Sequence, residues 1–174
     1  MSKITAERAR ELLTYDRETG VFAWRNEARA GVRRSVVCHR AGDRAGTRRK
    51  DGRNVIRLDG ALCLGYRVAW LMETGGWPDG EIDHIDGDPA NDSISNLRVV
   101  SRRLNQQNIR RAQANKASCD YLGVYANQRN TKSPWRACIT LDGKHRQIGV
   151  YKTPEEAHAA YVKAKRLMHE GCTL

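Results

Sequence analysis

Apolar positions in the first part of the chain come in short runs whose spacing switches repeatedly between the helical and the strand period. Residues 4–13 have the spacing of a short amphipathic helix. The run YDRETGVFAWR that follows predicts a hairpin turning at residues 18–20, and residues 54–58 predict a further short strand in a glycine-rich segment. Residues 66–74 return to helical spacing, with Val68, Leu71 and Met72 on one face and Gly75-Gly76 to stop the helix. Residues 81–85 then predict a strand, 86–95 a loop and 96–100 a second strand. Ser101 stands where it would cap a helix from residue 102 to about 112.

After a polar, basic linker the pattern changes. Residues 121–128, 135–141 and 144–151 alternate apolar and polar side chains, and Asp142-Gly143 between the last two is a two-residue hairpin signal. Thr153-Pro154-Glu155-Glu156 supplies an N-cap, a proline at N1 and a glutamate at N3, a capping box. The helix it opens carries Ala157, Ala160, Tyr161 and Ala164 on one face. The expected class is α+β. Residues 1–112 form one domain, 113–120 a linker, and 121–171 a three-stranded antiparallel sheet packed on one helix.

Charge sharpens this picture. The 31 Lys+Arg against 20 Asp+Glu give +11, and the surplus is concentrated. Residues 25–57 hold eleven basic and three acidic residues, and residues 101–117 hold five basic residues and no acid. Such a bias suits a polyanion, because each phosphate contact releases counterions. A solvated basic face would have the same composition. The five cysteines lie far apart with no CxxC pair, so neither a zinc site nor a disulfide framework is indicated. MSKITAERAREL is a charged helical pattern and not a secretion signal, and the apolar run at 61–72 is broken by Arg67. A soluble protein of a reducing compartment, the cytoplasm, is expected, with no membrane partner.

The chemistry is concentrated in EIDHIDGDPANDSISNLRVVSRRLNQQN, residues 81–108. A turn-rich loop accounts for its middle. It does not account for Asp83-His84 inside the apolar frame of Ile82 and Ile85. On a strand–loop–strand–helix unit, Asp83 and His84 end the first strand and Asn105 lies one turn into the helix. A carboxylate and an amide oxygen suit a hard divalent ion, Mg²⁺ or Mn²⁺. His84, pointing to the other side of the strand, could deprotonate water. A calcium loop fits poorly, because the first acidic spacing is three and no Glu closes a twelve-residue loop.

DHIDGD followed by ISNLR and RRLNQQN resembles the HNH endonucleases with a ββα-metal site, in the phage and intron-encoded form whose third motif residue is Asn. His84, Asn96 and Asn105 fall at the three motif positions, separated by twelve and nine residues. The resemblance implies that Asp83 and Asn105 are metal ligands, that His84 is the general base, and that Asn96 braces the loop and orients the histidine. It also implies cleavage to 5′-phosphate and 3′-hydroxyl ends. LLTYDRETGVFAW and RVAWLMETGGWPDG are similar to the phage branch too, except that Tyr66 stands where many relatives carry His.

YLGVYANQR and SPWRACITLDGKHRQIGVYKTPEEAHAAYVKA resemble the three-stranded, APETALA-type DNA-binding domain of ethylene-response factors. In that family one sheet face enters the major groove. Alternation assigns Val124, Trp135, Ala137, Ile139 and Ile148 to the core and leaves Tyr125, Asn127, Arg129, Arg136, Thr140, His145 and Gln147 for DNA. Arg102, Arg103 and Arg110 of the basic stretch join that set. Together these readings describe a homing or mobile-element endonuclease that recognises double-stranded DNA, needs no small-molecule cofactor, and as a monomer nicks one strand. The competing reading is a non-catalytic DNA-binding regulator that retains a nuclease fold.

Overall fold

The computed structural model describes residues 4–30, 36–108, 119–127, 132–169 and 172. It is a mixed α+β chain that divides into two compact units, Met1–Ser101 and Arg102–Leu174.

The first unit begins with α1 (Ala6–Leu12), whose first turn is capped where Arg8 N donates to Thr5 Oγ1. β1 (Leu13–Tyr15) follows and pairs antiparallel with β2 (Phe22–Trp24), and β3 (Ala28–Ala30) pairs with β4 (Val36–His39). β5 (Thr47–Arg48), β6 (Asn54–Leu58) and β7 (Ala61–Leu64) make a small sheet in that order. α2 (Gly65–Thr74) ends at Gly75, whose left-handed φ of 81° lets the chain leave the helix. Leu13, Phe22, Ile56, Leu58, Val68 and Leu71 form the core beneath these elements.

Ile82 from β8 (Glu81–His84) and Leu97 from β9 (Leu97–Val100) complete that core and so fix which face of the hairpin turns inward. β8 and β9 pair antiparallel with Asp83 opposite Arg98 and His84 opposite Leu97. Asn96 was expected on the second strand. It instead ends a 3₁₀ turn, Ile94–Asn96, because its backbone N–H bonds to Ser93 O and its side chain turns back into the loop.

The second unit contains α3 (Arg102–Gln107), β10 (Val124–Ala126), β11 (Trp135–Leu141), β12 (Lys144–Tyr151) and α4 (Pro154–Met168). α3, expected as the last element of the first domain, groups here, and residues 109–112 of the expected helix lie outside the described residues. The strands run β10-β11-β12. Val124, Ala137 and Ile139 pack on Ala157, Tyr161 and Ala164 of α4, with Trp135 and Ile148 half-buried beside them. Thr153 Oγ1 caps α4 by accepting from Glu156 N.

Candidate active site

β8 delivers two chemically active side chains in succession, and the strand's pleat sends them opposite ways. Asp83, 5% exposed, meets its cross-strand neighbour: Arg98 donates to Oδ2 from Nε at 2.9 Å and Nη2 at 2.8 Å. His84, 9% exposed, presents Nε2 to Oδ1 of Asp92 at 3.2 Å. The Tyr66 ring stands edge-on to the imidazole, with centroids 5.2 Å apart and planes at 80°. Tyr66 therefore packs against the histidine.

The loop between the strands is closed by its own side chains. Asn96 Nδ2 donates to Asp86 Oδ1 at 3.0 Å and to Asn91 O at 2.9 Å, while its Oδ1 accepts from Asp86 N at 3.0 Å. Asp86 also accepts from Asp88 N and from Asn91 Nδ2. Burial pushes the Asp86 carboxyl up, but these donors and the nearby His84 outweigh it and hold the group below the usual carboxylate range. The β5–β6 hairpin is tied to the same loop, since Arg48 donates to Gly52 O from Nη1 and to Ala90 O from Nη2.

Asp92 is the residue the sequence reading missed. It is 2% exposed, Tyr15 Oη donates to its carbonyl at 2.7 Å, and its carboxylate lies against the first residue of α2. Nothing in the run of loop carboxylates distinguishes it, because the groups that bury it come from distant parts of the chain.

The other expected site residues lie in the second unit. Asn105 is half-buried on α3. Arg102 is exposed, and Arg103 pairs with Asp142 at 2.6 Å, both side chains largely exposed. Arg110 and Arg129 lie outside the described residues. The strand register sets Tyr125 opposite Arg136, Thr140 opposite His145, and Gln147 opposite Cys138, all on the sheet face away from the core. A bulge at Ile148 makes this possible, since without the extra residue Gln147 would turn inward. Thr140 Oγ1 and His145 Nδ1 are hydrogen-bonded at 2.9 Å, and Tyr125 stands edge-on to His145. Asn127 differs: it is half-buried and its amide donates to Ser133 O.

Among the described residues no three His, Cys, Asp or Glu side chains gather as a metal cage. No helix among the described residues is long and apolar enough to cross a membrane.

Residues 66–107 match the model of the HNH endonuclease family, a span holding Asp83, His84, Asp92, Asn96 and Asn105. An HNH endonuclease domain therefore occupies that part of the chain. The chain is also similar to Protein 3.8 of Escherichia phage T7, with 29% identity over 105 residues that cover 54% of this chain and 84% of that protein. No solved structure matches.

Proposed function

We propose that the protein is a metal-dependent DNA endonuclease of mobile-element type that hydrolyses one phosphodiester bond per visit, with His84 as general base. The observation that carries this reading is the pair Asp83-His84 on β8, buried and separately held by Arg98 and Asp92, inside a span that matches the HNH endonuclease family. An imidazole held in one place can take the proton of an attacking water. Asn96 keeps the loop closed behind it. Asp83 would be a ligand of a single Mg²⁺ or Mn²⁺, which when bound would supply charge to the scissile phosphate and the leaving 3′ oxygen.

In the same reading the outward sheet face of the second unit, with Tyr125, Arg136, Thr140, His145 and Gln147, reads base edges in the manner of ethylene-response-factor domains. Arg102, Arg103 and the basic stretch of residues 25–57 neutralise phosphate. The similarity to a phage protein supports action in the cytoplasm of a bacterial host.

Supercoiled plasmid incubated with the purified full chain tests the reading. Nicked circles should form with Mg²⁺ or Mn²⁺ and not with EDTA, and His84→Ala should cut about 10²–10⁴-fold more slowly while binding DNA as before. A wild-type chain that binds DNA but never nicks it would favour the regulator that retains a nuclease fold.

A further inference from the structure

We propose that Asp92 is a positioning residue for His84: its carboxylate accepts from Nε2–H, holding the neutral ring in one orientation and one tautomer, with the lone pair on Nδ1. The inference rests on His84 being the general base. A carboxylate can only accept, so a neutral imidazole that meets it through Nε2 must carry its proton there. The contact is 3.2 Å long and both groups are buried.

A carboxylate this deeply buried is costly unless it is compensated, and the fold compensates it from more than one side. The ring N–H is one source. The N-terminal end of α2, a ten-residue helix, is the other, because its first residue lies directly against the second carboxylate oxygen and its dipole favours negative charge there. The approach depends on glycine. A Cβ built on Gly65 would fall 2.5 Å from Asp92 Oδ2 and 3.0 Å from Asn54 Cβ, so a larger residue must displace the carboxylate and also presses on Asn54. Tyr15 fixes the backbone of Asp92 through its hydroxyl, and the Tyr66 edge constrains the imidazole from another direction. Two constraints act on the ring and two on its partner, which is the arrangement that a base of defined aim requires.

A buried pair serving stability alone would fix the same nitrogen, so the ring spectrum tests the contact and the rate of the chemical step tests its role. Long-range ¹H–¹⁵N spectra of the ¹⁵N-labelled full chain, recorded where the ring is neutral, should give His84 the pattern of the Nε2-protonated tautomer. Asp92→Asn should yield a mixed or Nδ1-protonated pattern, because an amide can donate as well as accept. In single-turnover cleavage at saturating DNA and Mg²⁺, Asp92→Asn should slow the chemical step on the order of 10²–10⁴-fold, as when a carboxylate that fixes a catalytic imidazole is lost. DNA affinity should stay within about threefold, since the change touches no DNA-facing group. Gly65→Ala keeps the carboxylate and moves it, so it should slow cleavage in the same direction with the affinity intact. An Nδ1-protonated ring in the wild type, or an Asp92→Asn variant that cuts at the wild-type rate, overturns the proposal. Should Asp92→Asn fail to fold, the wild-type spectrum and Gly65→Ala still decide it. A folded wild type inert on DNA would sink the nuclease reading instead, and the ring spectrum would still decide the tautomer.

Discussion

Arg98 grips Asp83 with two guanidinium nitrogens, and replacing it by Met keeps much of the stem while removing the charge. The Asp83 carboxylate then loses its strongest cross-strand donor, at a cost of about 1–3 kcal/mol, with the low end expected because the Arg98 side chain is 32% exposed and water can take its place. A divalent ion held by Asp83 would replace the missing charge, so added Mg²⁺ should raise the melting temperature of Arg98→Met more than that of the wild type. Equal shifts in both proteins would argue against Asp83 as a ligand. Asp86 supplies a second test at this scale. Its folded-state carboxyl lies below the ordinary value of 3.8, so it stabilises the fold above that value and the contribution is lost as pH falls through the lowered one. Asn96→Ala removes one cause of the lowering, and unfolding curves from neutral pH into acid should show a smaller acid loss in the variant. Residue types and spacing singled out Asp83, His84, Asn96 and Asn105 in the sequence, and the structure sets the first three on the β8–β9 hairpin and the loop that closes it. Asp92 was not legible, because Asp86 and Asp88 look the same in the sequence, and what separates Asp92 from them is burial against Gly65 and Tyr15.

The second unit is held by close packing of α4 on its sheet, and Gly123 is the narrowest point. Its φ of 75° is left-handed, and a Cβ there would lie 2.0 Å from the Tyr161 ring. Gly123→Ala should therefore destabilise this unit by about 1–3 kcal/mol through overpacking, with strain from the backbone added to it. Thermal unfolding of the full chain, followed by near-ultraviolet signals of the tyrosines and tryptophans, would register it. Burial also pushes the Tyr161 hydroxyl up to about 12. The stability this represents is present below the ordinary value of 10 and disappears as pH rises from there toward 12, so alkaline titration should loosen this unit over that window. The start of α4 with its Thr153 cap and the alternation of β11 were readable because each is written within a few neighbouring residues. The bulge at Ile148 and the 3₁₀ turn at Asn96 were not, since both arise from pairing with a partner strand or loop that local periodicity does not describe.

At the level of the whole molecule, chemistry and recognition are proposed to lie on different parts of the chain, and they should be separable by substitution. Replacing Tyr125, Arg136 and Gln147 together by Ala removes outward side chains from the sheet without touching its core. Lost base contacts at about 1–3 kcal/mol each would lower the ratio of specific to non-specific affinity by orders of magnitude, while the rate of nicking random plasmid changes little. A footprint and a salt-titrated affinity on the mapped site would measure this, and an unchanged ratio would remove the sheet from recognition. The side-chain closure of the loop between β8 and β9 bears on how the chain breathes. The amide of Ile85 is held by Asn96 O, that of Asp86 by Asn96 Oδ1, and that of Gly87 by His84 O. Displacing Asn96, backbone and side chain together, would release the first two at once, so in deuterated water the Ile85 and Asp86 amides should exchange with a common opening free energy, as a single foldon smaller than the unit that contains it.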